Sequence, residues 1–176
     1  MAPLLKRTWA LRGHRPILLQ KGKHREKVSL AGALWLSPQR DQLGLIFQTL
    51  ENAYFNNQRV AGLLELLMRE MPNRLVVLWD RGGMHKGDPI RAEVARFRPR
   101  LSLELLPPYA PMLNPVERIW SWLKYGRLSN YAPTNAHELN RRITTELGAI
   151  RRDQDWLQEF WHASELPMPE PLKSGH

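Results

Sequence analysis

The sequence has no cysteine, few acidic residues and no long apolar run. Without cysteine, both a disulfide framework and a thiolate metal site are excluded. The longest apolar stretches fall far short of the roughly 20 residues that cross a bilayer as a helix. The basic N-terminus lacks the apolar core and the small-residue cleavage site of a signal peptide. These absences predict a soluble, cytoplasmic protein with no membrane partner.

Positive charge is what the sequence has in excess. There are 26 Lys and Arg against 17 Asp and Glu, for a formal net charge of +9. Such a surplus indicates a polyanionic partner, and ribosomal, membrane-surface and nuclease proteins share it. Residues 1–27 contain eight basic residues and one acid, Glu26. The basic residues are Lys6, Arg7, Arg12, Arg15, Lys21, Lys23, Arg25 and Lys27. A later group, Arg141, Arg142, Arg151 and Arg152, either contacts phosphates or only solvates helix faces.

The apolar pattern alternates between strand-like and helix-like segments. Short apolar runs bounded by turn residues predict strands, and apolar steps of three and four predict helices. The predicted strands are 27–37, 42–50, 74–80 and 101–107; the predicted helices are 56–71, 88–97, one from Asn114, one from about Thr134, and 155–163. A hairpin followed by strand–helix–strand units predicts an α/β fold, a mixed sheet flanked by helices. Residues 1–165 form one predicted domain, and residues 166–176 a flexible tail.

Three of these helices have a predicted apolar face. Residues three or four positions apart lie on the same side of a helix and pack together into the core. The predicted core positions are Val60, Leu63, Leu64, Leu67 and Met68, then Val116, Ile119, Trp120 and Leu123, then Ala136, Leu139, Ile143, Leu147 and Ile150.

The stretch LVVLWDRGGMHK, residues 75–86, ends an apolar strand on a carboxylate. A continuous apolar run of this kind predicts a strand buried on both faces, with Asp80 at its carboxyl end. An acid followed by two glycines is also typical of a turn residue. His85 has the alternative of an ordinary surface or hydrogen-bonded histidine, and Asp88, which precedes a proline, that of a helix N-cap.

The stretch LLPPYAPMLNPVERIW, residues 105–120, contains the second acid of interest. Its prolines stiffen the approach to a helix with Asn114 at the N-cap, Pro115 in the first position and Glu117 in the third. Asn and Glu at this spacing are close to a capping box, in which the Glu side chain bonds back to the N-cap amide. A purely structural role for Glu117 is therefore one interpretation.

The alternative is that Asp80 and Glu117 act together. Chemistry in α/β sheets gathers at the carboxyl ends of strands, and Asp80 ends one strand while Glu117 opens the helix after the next. Paired carboxylates suit Mg²⁺ or Mn²⁺. Two such ions, about 3.5–4 Å apart, clamp the attacking and leaving oxygens of a phosphodiester displacement.

Two motifs resemble a known family. WDRGGMHK and LPPYAPMLNPVERIWSWLK resemble the second and third catalytic blocks of insertion-sequence transposases of the mariner-like superfamily, DDE endonucleases with an RNase H-like fold. The third block matches that pattern at Leu106, Pro107, Tyr109, Pro111, Leu113, Asn114, Pro115, Glu117, Trp120 and Lys124. RTWALRGHRPIL, residues 7–18, resembles the segment after the first block, and the likeness continues to about residue 160.

The resemblance implies Mg²⁺- or Mn²⁺-dependent cleavage and transfer of DNA strands by a catalytic domain over residues 1–165. Asp80 and Glu117 would be the second and third metal-binding catalytic acids. The residues His85, Asn114, Arg118 and Lys124 would lie near the site or contact DNA. The implied partners are double-stranded transposon ends and, in the full-length family, a second copy of the transposase.

One departure from the family is important. Its first catalytic aspartate precedes the Arg-Thr-Trp segment, and here no acid precedes Glu26. The first strand of the sheet and the family's helix-turn-helix domains are likewise expected to be missing. We therefore expect an N-terminally truncated chain that is inactive alone, either a decayed remnant or the partner of an upstream-encoded transposase fragment. Two other classes remain open: a basic module that binds DNA without cutting it, and a metal-dependent nuclease of the same fold.

Overall fold

A computed structural model describes residues 6–7, 12–14, 17 and 26–170. Most of the basic N-terminal segment, including most of residues 7–18, lies outside the described residues. The strands are β1 (Val28–Leu36), β2 (Leu43–Glu51), β3 (Leu75–Trp79) and β4 (Leu101–Leu105), and the helices are α1 (Asn57–Glu70), α2 (Asp88–Arg96), α3 (Pro115–Trp122), α4 (Ala136–Ile150) and α5 (Gln154–His162). A π-helix, Leu123–Arg127, continues α3. The predicted order of strands and helices is confirmed.

β1 and β2 form the predicted antiparallel hairpin. Their register runs from Val28 opposite Glu51 to Leu36 opposite Leu43. In the turn, the Ser37 hydroxyl donates to the Asp41 carboxylate over 2.6 Å and accepts from the backbone N–H of Asp41. These side-chain bonds replace strand pairing where the chain reverses.

β3 and β4 form a parallel pair joined through α2. The register runs from Leu75 opposite Leu101 to Trp79 opposite Leu105. Both kinds of pairing expected for a mixed sheet are present. Among the described strands, however, the two pairs are not hydrogen-bonded to each other and form separate two-stranded sheets.

One prediction for β3 is wrong: the strand is not buried on both faces. Val76 is 60% exposed and Leu78 47% exposed, while Trp79 is buried. Side chains alternate between the two faces of a strand, and α1 and α2 cover only the face to which Leu75, Val77 and Trp79 contribute. A continuous apolar run did not distinguish a strand covered on one face from one covered on both.

Two apolar cores hold these elements together. The first packs α3, α4 and α5 against the hairpin, and the second packs α1 and α2 against β3 and β4. The predicted core positions of α1 and α4 are all buried. In α3 and its π-helical continuation, Val116, Ile119 and Leu123 are buried and Trp120 is partly buried. The helical periodicity therefore identified the inward faces.

The expected N-cap of α2 needs correction. The N-cap of α2 is Gly87, with φ 107°, and Asp88 is instead the first helical residue, paired with Arg91. The positive φ of Gly87 favours glycine, which has no Cβ. A Cβ at this position would also lie 2.9 Å from the Asn57 side-chain nitrogen.

The described part of the C-terminal tail, residues 166–170, contacts the rest of the chain. Leu166 and Met168 pack against the first core, and the Arg40 side chain donates to the Glu170 carbonyl over 3.3 Å. The flexible tail predicted over residues 166–176 stays a prediction, and residues 171–176 lie outside the described part. None of the described helices is long and apolar enough to cross a membrane.

Candidate functional site

Asp80 directly follows β3, at the carboxyl end of the strand. Its Oδ1 accepts the backbone N–H of Gly82 over 2.8 Å, which is the turn role that its sequence context indicated. The side chain is nonetheless 55% exposed. Asp80 thus shapes its own loop and still presents a carboxylate to solvent.

His85 lies against Asp80. It ends a short 3-10 turn, Gly83–His85, and its Nδ1 is 2.7 Å from Asp80 Oδ1. The imidazole also stacks on the Trp79 ring, with centroids 4.7 Å apart and planes 2° from parallel. Gly82 makes this approach possible, since a Cβ there would lie 2.9 Å from Asp80 Oδ1. His85 is therefore held in place beside Asp80, and its role at the site stays a prediction.

Arg81 is a residue of the site that sequence reasoning missed. Its Nε donates to the Leu106 carbonyl over 3.2 Å, and the Leu106 N–H donates to the Trp79 carbonyl over 2.9 Å. These bonds tie the segment after β3 to the segment after β4. The only available signal was the position of Arg81 next to a candidate catalytic acid.

Asn114 is the N-cap of α3, as predicted. Its side chain accepts the Val116 N–H over 3.3 Å, and its own N–H donates to the Pro111 carbonyl over 3.1 Å. The amide to which Glu117 would bond in a capping box is therefore already used by the preceding 3-10 turn, Pro111–Leu113. The capping-box interpretation of Glu117 is wrong.

Asp80 and Glu117 line the same cleft. Its volume is about 210 Å³, and its walls are Asp80, Arg81, residues 106–111, Asn114 and Glu117. Burial raises the pKa of Glu117, and the nearby negative charge of Asp80 raises it further. Two acids from separate elements are thus brought close enough for their charges to repel.

This donor set suits a divalent cation of the Mg²⁺ type, which prefers carboxylate oxygens and retains several waters. Burial is the larger cause of the raised pKa of Glu117, and a cation between the two acids would offset the smaller one, the repulsion from Asp80. Within the described part of the chain, no group of three or more His, Asp or Glu side chains is arranged to hold a metal ion. The fit therefore rests on two protein ligands, Asp80 and Glu117.

Arg118 and Lys124 do not line the cleft. The Arg118 Nε is buried, without a hydrogen-bond partner among the described residues. Lys124 lies in the π-helix, with its ammonium 5.2 Å from the centre of the Tyr125 ring. Their expected roles near the site or on DNA stay predictions.

The sequence matches the family described as DDE superfamily endonuclease over residues 2–140. The chain belongs to this family. A comparison with curated proteins finds no match. The predicted relationship to DDE endonucleases is confirmed.

Solved structures of the Mos1 mariner transposase share the fold of this DDE endonuclease domain. The catalytic domain of Mos1 aligns with a TM-score of 0.54 at 16% identity, covering 77% of this chain and 74% of that one. The Mos1 strand transfer complex aligns with a TM-score of 0.61 at 17% identity, covering 92% of this chain and 47% of that one. A Mos1 paired-end complex with Mn gives 0.59 at 17% identity, covering 92% and 48%. The chain spans about half the length of these longer Mos1 chains, and the RNase H-like α/β fold is confirmed.

Proposed function

We propose that Asp80 and Glu117 are metal-binding acids of a Mg²⁺- or Mn²⁺-dependent centre that cleaves DNA and transfers the cut strand. The observation that carries this proposal is their convergence on one cleft, where the charge of Asp80 contributes to the raised pKa of Glu117. Membership of the DDE superfamily endonucleases supports it. The similar fold of a Mos1 paired-end complex with Mn is consistent with the choice of metal.

When bound at such a centre, the ion supplies charge neutralisation at the phosphodiester oxygens and activates the attacking hydroxyl or water. The residues of this chain hold and orient it. His85 fixes the Asp80 carboxylate through the 2.7 Å contact at Nδ1, and Trp79 fixes the imidazole by stacking. Glu117 must be ionised to serve as a ligand, so metal affinity is expected to fall as the pH falls through its raised pKa.

We also propose that the two acids need a third ligand from outside the described residues. Two carboxylates only partly compensate the charge of a divalent pair and fix its position loosely. An upstream-encoded transposase fragment is the partner expected to supply this ligand, and without it we expect little or no activity. The proposed DNA substrate is a double-stranded transposon end, bound in the cytoplasm by a dimer.

Metal-dependent stabilisation tests the two ligands directly. A ligand that binds only the folded state raises its melting temperature. We expect excess Mn²⁺ at pH 7.5 to raise the melting temperature of the wild type, and Asp80→Asn and Glu117→Gln to lose this shift. Glu138→Gln is the matched control, because Glu138 has the same spacing from an N-cap Asn on α4. Equal shifts in the wild type and both site variants would contradict the proposal.

Cleavage of supercoiled plasmid tests the reaction. With the upstream fragment added, we expect Mg²⁺-dependent nicking and joining of strands, both lost in Glu117→Gln. Nicked products without joined strands would favour a nuclease of the same fold. Full activity of the 176-residue chain without the fragment would contradict the need for a third ligand.

A further inference from the structure

Tyr109 has an unusual position at the cleft. It belongs to the cleft wall formed by residues 106–111, yet the residue is 98% exposed. Its φ is 57°, in the left-handed region that residues with a Cβ rarely adopt. Pro108 precedes it, and Pro111 restricts Ala110, the residue between them. The ring is therefore carried by a stiff segment although it is almost fully in water.

Packing within the described part of the chain does not account for a tyrosine at this position. Tyr109 belongs to neither of the two apolar cores in the described part of the chain. Glycine would adopt the same φ without steric penalty, and asparagine with a smaller one. A bulky aromatic residue at such a position is best explained by something that it contacts outside the chain.

We propose that Tyr109 stacks on an unpaired nucleobase next to the phosphodiester handled by Asp80 and Glu117, and so positions the DNA strand. This inference rests on the proposed function. A nucleotide in DNA has two groups that match this cleft. Its phosphodiester suits the acid pair and its metal, and the flat aromatic face of its base suits the exposed ring. Both faces of a base inside a duplex are covered by its neighbours, so the base on Tyr109 must be unstacked. Because every base has such a face, the contact tolerates different sequences.

Fluorescence of 2-aminopurine tests this contact. The probe is a duplex with a 3′ single-stranded extension that carries 2-aminopurine at one of the first four unpaired positions, with binding measured in EDTA by anisotropy. We expect wild-type protein to quench the fluorescence at one position. Tyr109→Trp should keep the quenching, and Tyr109→Gly should lose it and bind roughly tenfold more weakly, the range of one lost base stack.

The pair of variants separates stacking from a structural role. If Tyr109 contacted nothing outside the chain, Tyr109→Gly would bind the probe as well as the wild type. Its melting temperature would be unchanged or higher, because glycine adopts a positive φ without strain. Tyr109→Trp would then bind the probe no better than Tyr109→Gly. Melting temperatures of both variants check that the loop and fold are intact. Tyr54→Ala is the control, since Tyr54 is 69% exposed and does not line the cleft.

Equal quenching and affinity in Tyr109→Gly and the wild type would overturn the inference, and so would a wild-type chain that does not bind the probe. The result is separate from the test of the acid pair, because EDTA removes the metal. A wild-type protein that quenches the probe but is not stabilised by Mn²⁺ would refute the proposed metal centre. A wild-type protein that is stabilised by Mn²⁺ but does not quench the probe would refute the role of Tyr109.

Discussion

Glu117 and Glu138 occupy the same position relative to a helix N-cap, yet their environments differ. Each lies three residues after an Asn N-cap, Asn114 on α3 and Asn135 on α4. The Glu138 carboxylate accepts the Thr134 N–H over 2.7 Å and the Thr134 hydroxyl over 2.6 Å. These bonds, with Tyr131 and Arg141 nearby, lower the pKa of Glu138. Burial and the charge of Asp80 raise the pKa of Glu117 instead.

The two pKa shifts predict opposite effects of the same substitution. A raised pKa means that the folded state holds the proton more tightly, so ionising Glu117 destabilises the fold. We expect Glu117→Gln to raise the melting temperature at pH 7 in the absence of metal. A lowered pKa means the reverse, so Glu138→Gln should reduce the melting temperature at pH 7.

The pH dependence checks the assignment. The Glu117→Gln difference should develop as the pH rises from the ordinary value, 4.5, through the raised pKa. The Glu138→Gln difference should vanish as the pH falls below 4.5 towards the lowered pKa. Thermal melting between pH 3 and 8 in low salt measures both. Destabilisation by Glu117→Gln at pH 7 would mean that its carboxylate supports the fold and is not strained by Asp80.

Among the elements, α3 and α4 offer a second matched pair, in their N-caps. The Asn114 side chain accepts its N–H over 3.3 Å, whereas that of Asn135 accepts over 2.8 Å. We expect Asn135→Ala to reduce the free energy of unfolding by about 1 kcal/mol or more, and Asn114→Ala by about 0.5 kcal/mol, because the longer bond is weaker. Urea denaturation measures both. A larger loss in Asn114→Ala would show that its cap holds more than the first turn of α3.

Sequence patterns succeeded where the physics is local to one element. The periods of α1 and α4 identified their buried faces, because helix geometry alone decides which residues lie together. They failed where a neighbouring element decides. Val76 of β3 is exposed because no described helix covers its face. Glu117 does not form the predicted capping box because the Asn114 N–H already donates to the Pro111 carbonyl. The motifs identified both candidate acids, but only the fold shows that they line one cleft.

At the scale of the whole molecule, the cleft depends on how the two cores are placed. Asp80 follows Trp79, which belongs to the second core, whereas Glu117 lies on α3, whose Ile119 belongs to the first. The hairpin contacts both cores: Ala33 packs against the second, and its neighbour Leu34 against the first. The distance between the acids is therefore set by packing across the hairpin.

Gly32 of β1 provides a test of this dependence. A Cβ there would lie 2.7 Å from the Ile46 carbonyl oxygen and 3.1 Å from the Trp120 ring of α3. Gly32→Ala should displace α3 from the hairpin, lower the melting temperature and weaken the Mn²⁺-dependent stabilisation, although it touches neither acid. Gly62→Ala on α1, where a Cβ has open space, is the control and should leave the metal response unchanged. An unchanged Mn²⁺ response in a destabilised Gly32→Ala would show that the acids are held independently of this packing.

The excess positive charge of the molecule is not evenly available to DNA. Glu146 is buried on α4 and pairs with two arginines, Arg127 at 2.6 Å and Arg142 at 2.8 Å. Arg127 links the π-helix to α4 through this pair, and Arg142 is engaged with Glu146 within α4. In the described part of the chain, no salt bridge involves Arg141, Arg151 or Arg152, which are exposed. These three are the better candidates for phosphate contacts.

Salt dependence of duplex binding distinguishes the two groups. Each lost phosphate contact reduces the slope of log affinity against log salt by roughly 0.9. The triple variant Arg141→Ala, Arg151→Ala, Arg152→Ala should bind more weakly with a shallower slope, while Arg142→Ala should keep the slope and melt at a lower temperature. An unchanged slope in the triple variant would mean that these arginines only solvate their helices. If the steep slope persists in Asp80→Asn while no Mn²⁺ response exists in the wild type, the chain is the non-catalytic DNA-binding module, because its affinity then comes from phosphate contacts alone.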